Sequence, residues 1–126
     1  MTSEPLGTAL TVFLVAIGGG TGAMTRFLID RWITKRVSKG FPWGIFVVNV
    51  TGSLILGVIV GFFDGPLVTV LGTGLLGGYT TFSTASIDAF KLVGDKDFSR
   101  AFGYAFGMLA ACILAATLGL VISSAT

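Results

Sequence analysis

The sequence predicts an all-α membrane protein, a single integral membrane domain of four transmembrane helices whose third helix is broken at mid-span. Three observations lead to this fold class. Only 11% of the 126 residues are charged and 53% are hydrophobic, whereas a soluble domain carries about a quarter charged residues. Four long stretches lack charged side chains altogether. The third of them is interrupted by glycines and threonines in "GGYTTFST" (residues 77–84).

Each uncharged stretch is long enough to cross a bilayer, which takes about 20 apolar residues. The stretches cover residues 5–25, 40–63, 65–87 and 101–126. We place the helices at residues 8–29, 43–63, 67–91 and 100–122. Pro42 suits the start of the second helix, and "DGP" (64–66) makes a tight turn before the third. No signal peptide is expected, because no basic region precedes the first apolar run.

Basic charge is confined to one side of this topology. The loops that follow helices 1 and 3 share a face, and the eight basic residues that flank them are Arg26, Arg31, Lys35, Arg36, Lys39, Lys91, Lys96 and Arg100. The opposite face carries only Glu4 and Asp64. The positive-inside rule then places the basic loops in the cytoplasm, as in a multi-pass protein of the plasma membrane. Because these charges belong to membrane loops, no nucleic-acid partner is expected.

Glycines spaced four residues apart predict close contacts between the helices. The pairs are Gly18/Gly22, Gly57/Gly61, Gly74/Gly78 and Gly103/Gly107. Small residues at this spacing let two backbones approach closely in lipid. The alternative is that glycine is simply frequent in membrane helices.

The second helix contains Asn49, the only amide side chain in the protein, with Ser53 one turn further along the same face. An amide in hydrocarbon is costly unless it bonds to a neighbour or faces a wet path. Asn49 is therefore either a structural hydrogen-bonding group or a member of a polar path.

The third helix carries the predicted break. Gly77 and Gly78, followed by Thr80 and Thr81, are weak helix formers. Peptide groups freed by a break survive only inside protein or beside a polar cavity. Freed carbonyls suit a hard cation such as Na⁺, and helix N-termini and hydroxyls suit an anion. The alternative is a straight helix whose hydroxyls bond back to preceding carbonyls. Phe82 has polar neighbours, and its positive ring edge is able to contact an anion.

Other classes of protein find little support. Histidine is absent, and the single cysteine, Cys112, lies in the fourth apolar stretch. A small proton-coupled multidrug exporter also has four spans and forms a dimer. It needs a glutamate within the first span, and residues 8–25 contain none. No ATP-binding motif occurs, and no enzymatic activity is expected.

Four segments together resemble the small four-helix fluoride channels of the CrcB or Fluc family. They are "GGTGAMTRF" (19–27), "PWGIFVVNVTGSLILG" (42–57), "GLLGGYTTFSTAS" (74–86) and "GYAFG" (103–107). The resemblance covers nearly the whole chain. It implies an antiparallel dimer, with its two subunits inserted in opposite orientations in the lipid bilayer. Fluoride would flow through it passively, which would lower cytoplasmic fluoride and confer fluoride resistance.

The resemblance also implies roles for individual residues. The fluoride pathway would use Asn49, Phe82, Ser83, Thr84 and Tyr104. Arg26 would lie in the vestibule and raise the local anion concentration, with a snorkelling interface anchor as the alternative. Backbone carbonyls of Gly77 and Thr80 from both subunits would bind a structural Na⁺ at the centre of the dimer interface.

Several positions depart from the family pattern. Ala85 stands where a second phenylalanine is common, Ile45 where threonine is common, and Gly107 and Met108 where a serine often follows the tyrosine. The one-sided charge also disfavours insertion in both orientations. Together they favour an alternative in which this chain pairs with an opposite-topology homologue and completes or scaffolds its pore. An ordinary homodimer with dual topology is the other arrangement.

Overall fold

A computed structural model describes residues 5–37 and 40–125, with side chains from residue 7 onward. Within these ranges the chain is almost entirely helical, and no strand occurs. Three of the helices, Gly7–Arg36, Trp43–Phe62 and Phe98–Ser124, are long and apolar enough to cross a membrane. The prediction of an all-α protein is confirmed, and these helices fit a membrane environment. Glu4 and Lys39, used above in the charge argument, lie outside the described residues.

The third apolar stretch is divided among several short elements. Helices α1 (Pro5–Arg36) and α2 (Trp43–Phe62) precede it, and α6 (Phe98–Ser124) follows it. The stretch itself consists of α3 (Pro66–Val68), a π-helix (Thr69–Leu76), α4 (Gly77–Tyr79) and, after a break, α5 (Ser83–Gly94). We call residues 66–79 the first half-helix and α5 the second half-helix.

Helix α1 extends beyond the predicted end at residue 29 and finishes at Arg36. Its 32 residues span about 48 Å, whereas the hydrocarbon core of a bilayer is about 30 Å thick. The final turns are charged, and the Arg36 guanidinium lies 4.2 Å from the centroid of the Trp32 ring. The predicted boundary was wrong because it marks where charge begins, and nothing in "DRWITKR" breaks the helix there.

Glycines bring α1 into backbone contact with the first half-helix. A Cβ atom added at Gly22 would overlap the carbonyl oxygen of Leu75, and one added at Gly78 would overlap that of Gly19. No residue other than glycine fits these positions without displacing backbone. The first and third predicted glycine pairs both lie in this contact.

A second glycine contact joins α2 to α6. Gly57 faces the backbone of Ala116, and Gly61 lies under a serine side chain of α6. The remaining pair behaves differently. A Cβ atom added at Gly103 or Gly107 would have no atom within 4 Å, so the prediction of close packing is wrong for this pair within the described part of the chain.

The two charged loops meet at one end of the molecule. Arg100 Nη1 donates to the carbonyl of Gly40 at 3.1 Å, and its Nε lies 3.6 Å from Asp97 Oδ2. Asp97 also caps α6 by accepting the Arg100 backbone N–H at 3.2 Å. At the opposite end Gly65 turns the chain with φ of 69°, a conformation that favours glycine. The loops that follow helices 1 and 3 therefore share a face, as predicted.

We expect Gly78→Ala to lower the stability of the protein by about 1–3 kcal/mol, because the added methyl group overpacks the contact with α1. The Tm of the detergent-purified protein measures this effect. Gly103→Ala is the matched control, since its site is open and alanine favours a helix by about 1 kcal/mol over glycine. Equal losses of Tm in the two variants would contradict the assigned contact.

Candidate functional site

The polypeptide leaves helical geometry in the middle of the third apolar stretch. Tyr79 is the last residue of the first half-helix, Thr80 is extended with φ of −79° and ψ of 158°, and the second half-helix begins at Ser83. The alternative of a straight helix is therefore wrong. The back-bonding expected for a straight helix is nevertheless present at one position, where the Thr80 hydroxyl donates to the carbonyl of Leu76 at 2.9 Å.

Asn49 of α2 supplies the hydrogen bonds that the broken helix loses. Its Oδ1 accepts the backbone N–H of Thr81 at 2.9 Å, and its Nδ2 donates to the carbonyl of Thr81 at 2.9 Å. Nδ2 also lies 3.1 Å from Met108 Sδ. Asn49 is only 7% exposed, so leaving these groups unpaired would be costly. Asn49 therefore acts as a structural hydrogen-bonding group in this structure, which is one of the two roles predicted for it.

The carbonyls of Gly77 and Thr80 are among those in the break that lose the partners a continuous helix would give them. The carbonyl of Gly77 would accept the N–H of Thr81, which instead donates to Asn49. The carbonyl of Thr80 would accept the N–H of Thr84, which instead donates to Thr81 Oγ1 at 3.1 Å. Hard cations take oxygen ligands, and unwound carbonyls bind Na⁺ in other membrane proteins. These are the carbonyls that the family resemblance assigns to Na⁺, and their chemistry fits that ion.

A groove of about 550 Å³ lies in front of the break, bounded by α2, the two half-helices and α6. It is open on the single chain, and most of its lining is apolar. The polar groups reach it at the break and from Asn49. Its lining residues include Asn49, Gly77, Thr80, Thr81, Phe82, Ala85, Ser86, Tyr104, Met108 and Cys112.

Phe82 projects from the break with 88% of its surface exposed. It lines the groove. Its ring edge carries partial positive charge, so its position is suitable for the predicted contact with an anion.

Tyr104 is the most buried of the predicted pathway residues, at 1% exposed. The ring of Phe41 packs against it edge-on, with 5.3 Å between centroids. Its hydroxyl donates to Asp88 Oδ2 at 3.4 Å. A tyrosine hydroxyl has a single hydrogen, so in this geometry the ring lines the groove while the O–H is committed to a carboxylate.

The remaining predicted residues form a second polar cluster, beside α1. Thr81 Oγ1 lies 3.3 Å from Ser83 Oγ and 3.2 Å from Thr84 Oγ1, and Arg26 Nη1 donates to Thr84 Oγ1 at 3.4 Å. Arg26 Nε is buried and has no hydrogen-bond partner among the described residues. A snorkelling arginine keeps its charged group in water, so the inward-facing guanidinium favours the vestibule interpretation.

The predicted site residues thus fall into two groups. The groove contains Asn49, Gly77, Thr80, Phe82 and Tyr104, whereas Ser83, Thr84 and Arg26 are joined to it through Thr81. The sequence does not identify Asp88 as a contact of the site, and it singles out Met108 only as a departure from the family pattern. Met108 lies four residues after Tyr104 on α6, and this spacing could have placed it on the same wall. No comparable signal points to Asp88.

Comparison with known proteins identifies the family. Residues 13–120 match the family described as "CrcB-like protein, Camphor Resistance (CrcB)". The chain belongs to the CrcB family. It is 41% identical to the fluoride-specific ion channel FluC 1 of Leifsonia xyli subsp. xyli, over 90% of this chain and 86% of the relative.

Two further CrcB relatives cover similar lengths. The chain is 39% identical to the fluoride-specific ion channel FluC 2 of Moorella thermoacetica, over 83% of this chain and 89% of the relative. It is 40% identical to the fluoride-specific ion channel FluC 2 of Cutibacterium acnes, over 91% of this chain and 98% of the relative. The resemblance drawn from the sequence motifs is confirmed.

Two departures from the CrcB pattern have different locations. Ala85 lines the groove, so a methyl group occupies a position on its wall where a ring is common. Ile45 is 3% exposed and packs in the apolar cluster that contains Tyr104 and Met108. The first departure therefore alters the groove directly, and the second lies in the core behind it.

We expect Asn49→Leu to destabilise the protein by about 2–3 kcal/mol, because the N–H and C=O of Thr81 lose their partners. Thermal unfolding in detergent measures the loss. Ser53→Ala is the control, since its hydroxyl bonds only within α2, to the Asn49 carbonyl at 2.8 Å. A loss of Tm for Asn49→Leu no larger than that for Ser53→Ala would contradict the bridging role of the carboxamide.

Proposed function

We propose that the chain is a subunit of a fluoride-specific channel that passively exports fluoride across the plasma membrane and so lowers cytoplasmic fluoride. Support comes from the relatives named fluoride-specific ion channels, which align with nearly the whole chain. The structural observation that carries the proposal is the groove at the break. There the Asn49 amide and the exposed Phe82 ring both line a mostly apolar groove.

The chemistry of the groove suits a small anion. Fluoride is strongly hydrated, and a narrow path must replace its water with close hydrogen-bond donors and ring edges. Asn49 offers Nδ2 hydrogens, and Phe82 offers an exposed ring edge. A narrow path of this kind would exclude larger anions such as chloride. Passive flow agrees with the absence of an acidic residue in positions 8–25 and of an ATP-binding motif, and the family assignment gives no support to a drug exporter.

Arg26 supplies positive charge beside this path. Its guanidinium points inward to the Thr84 hydroxyl, and no described carboxylate forms an ion pair with it. A partly buried cation without a carboxylate beside it raises the local concentration of anions. We infer that Arg26 draws fluoride toward the hydroxyl cluster formed by Thr81, Ser83 and Thr84.

We infer that a second subunit covers the open groove. In hydrocarbon the carbonyls of Gly77 and Thr80 need protein or water in front of them. A second chain inserted in the opposite orientation would cover this face. The Gly77 and Thr80 carbonyls of both chains would then be able to bind a structural Na⁺, which would supply positive charge at the centre of the dimer and would not itself be transported.

We expect liposomes containing the purified chain, alone or with an opposite-topology homologue, to release fluoride and retain chloride, and Phe82→Ala to slow the release about tenfold or more through loss of the ring contact. A fluoride electrode measures release after valinomycin removes the membrane potential. Phe102→Ala is the control, since Phe102 is 60% exposed on α6 and stacks on Phe106. Equal rates for Phe82→Ala and wild type would place the path elsewhere, and no release from the wild type, either alone or with an opposite-topology homologue, would contradict the proposed channel.

We infer, as a second candidate, a dimer with an opposite-topology homologue, and the observation that favours it is the charge distribution. The described basic loops meet at one end, through the contact of Arg100 with Gly40, whereas Asp64 lies at the other end. Such a bias selects one orientation, and the opposite orientation would come from a homologous partner chain.

We therefore expect C-terminal reporter fusions of the chain expressed alone in cells to show a single orientation. Fusions to alkaline phosphatase and to a fluorescent protein report the two sides of the membrane. Adding basic residues next to Asp64 should restore the second orientation, because it removes the bias. Equal populations in the unmodified chain would instead establish a homodimer with dual topology.

A further inference from the structure

We propose that Met108 is a displaceable cover over Asn49. The Met108 sulfur accepts a hydrogen bond from the Asn49 amide hydrogen that would otherwise be free to bind an anion. The Met108 side chain must therefore rotate away before an anion can bind to Asn49. This inference rests on the function proposed above, because it takes the groove as the fluoride path. It adds a residue that regulates access to that path.

The geometry of the Asn49 amide leads to this role. The NH₂ group has two hydrogens and two acceptors within reach, the Thr81 carbonyl at 2.9 Å and Met108 Sδ at 3.1 Å. The Thr81 bond belongs to the bridge that replaces the broken helix. The second hydrogen therefore faces the sulfur, and both side chains are nearly buried, at 7% exposed for Asn49 and 8% for Met108.

The two possible acceptors for that second hydrogen differ greatly in strength. A thioether sulfur is a weak acceptor, whereas hydrogen bonds to an anion are roughly twice as strong as those between neutral groups. A small anion that enters the groove thus displaces the sulfur from Asn49. The N–H remains paired in the absence of the anion, which avoids the cost of an unsatisfied buried donor.

The surroundings of Met108 give its side chain space to move. Methionine is unbranched and has three rotatable bonds, so its sulfur can leave Asn49 without displacement of α6. Ala85 and Cys112 line the same groove and are both small. Ala85 also packs against the apolar cluster that contains Met108. A larger side chain at position 85 would restrict the rotation.

Substitutions at Met108 test whether its side chain is a movable cover over Asn49 or only fills space in the core. Met108→Ala removes the cover, and we expect about fivefold faster fluoride release, the factor that corresponds to one net hydrogen bond. Met108→Leu keeps the volume but lacks the sulfur and one rotatable bond, and we expect slower release than in the wild type. Leu114→Ala is the control, because Leu114 lies on the same helix outside the groove lining, with 70% of its surface exposed, and should leave the rate unchanged.

A spectroscopic measurement reports the cover directly. Asn49 is the only amide side chain in the protein, so [¹⁵N]asparagine labelling gives a single side-chain NH₂ group in the NMR spectrum. We expect fluoride to shift one of its two hydrogens downfield, and Met108→Ala and Met108→Leu to shift that same hydrogen without fluoride. The chemical shift of the other hydrogen, which is bonded to the Thr81 carbonyl, should not change. A general structural disturbance would shift both hydrogens.

The outcomes distinguish this inference from the proposed function. Fluoride release by the wild type, together with unchanged rates and an unchanged amide signal in both Met108 variants, would overturn the cover and leave the channel standing. No release from the wild type, either alone or with an opposite-topology homologue, would overturn the channel and the cover together. Faster release by Met108→Ala accompanied by the predicted amide shift would support both.

Discussion

The exchange of hydrogen bonds between Asn49 and Thr81 is the interaction on which the rest of this structure depends. In hydrocarbon each unpaired peptide group costs several kcal/mol, so a chain inside a membrane leaves a helix only where other groups replace the missing bonds. The carboxamide of Asn49 does this with one acceptor and one donor at 2.9 Å. One buried side chain thereby makes an interrupted helix tolerable at mid-span.

Several features of the site follow from that exchange. Once the N–H of Thr81 is bound to Asn49, the Gly77 carbonyl is released from the helical pattern, and Phe82 is carried outward into the groove. Glycines keep the break in place from both sides. A Cβ atom at Gly78 would strike α1, and one at Gly52 would strike the methyl group of Thr80. Close packing against α1 and α2 thus holds the end of the first half-helix and the break in place.

Much of this arrangement could be predicted from local sequence. The glycines and threonines of residues 77–81 indicate a break because they are weak helix formers, and three of four glycine pairs lie at real contacts. The partner of Asn49 could not be predicted, because the pairing with Thr81 joins residues far apart in the sequence. The same holds for the Arg26 contact with Thr84 and for the Tyr104 contact with Asp88. The end of α1 was misplaced for another reason, since charge marks the edge of the bilayer and not the end of a helix.

The central claim is that the broken third stretch presents peptide oxygens to a cation between two oppositely oriented chains. An experimental structure of the protein in lipid and Na⁺ tests it most directly. The account predicts a dimer with the Asn49–Thr81 bonds intact and a cation bound by the Gly77 and Thr80 carbonyls of both subunits. A helix that continues unbroken from Pro66 to Gly94, with the Thr81 N–H bonded to the Gly77 carbonyl and no cation beside it, would contradict the account.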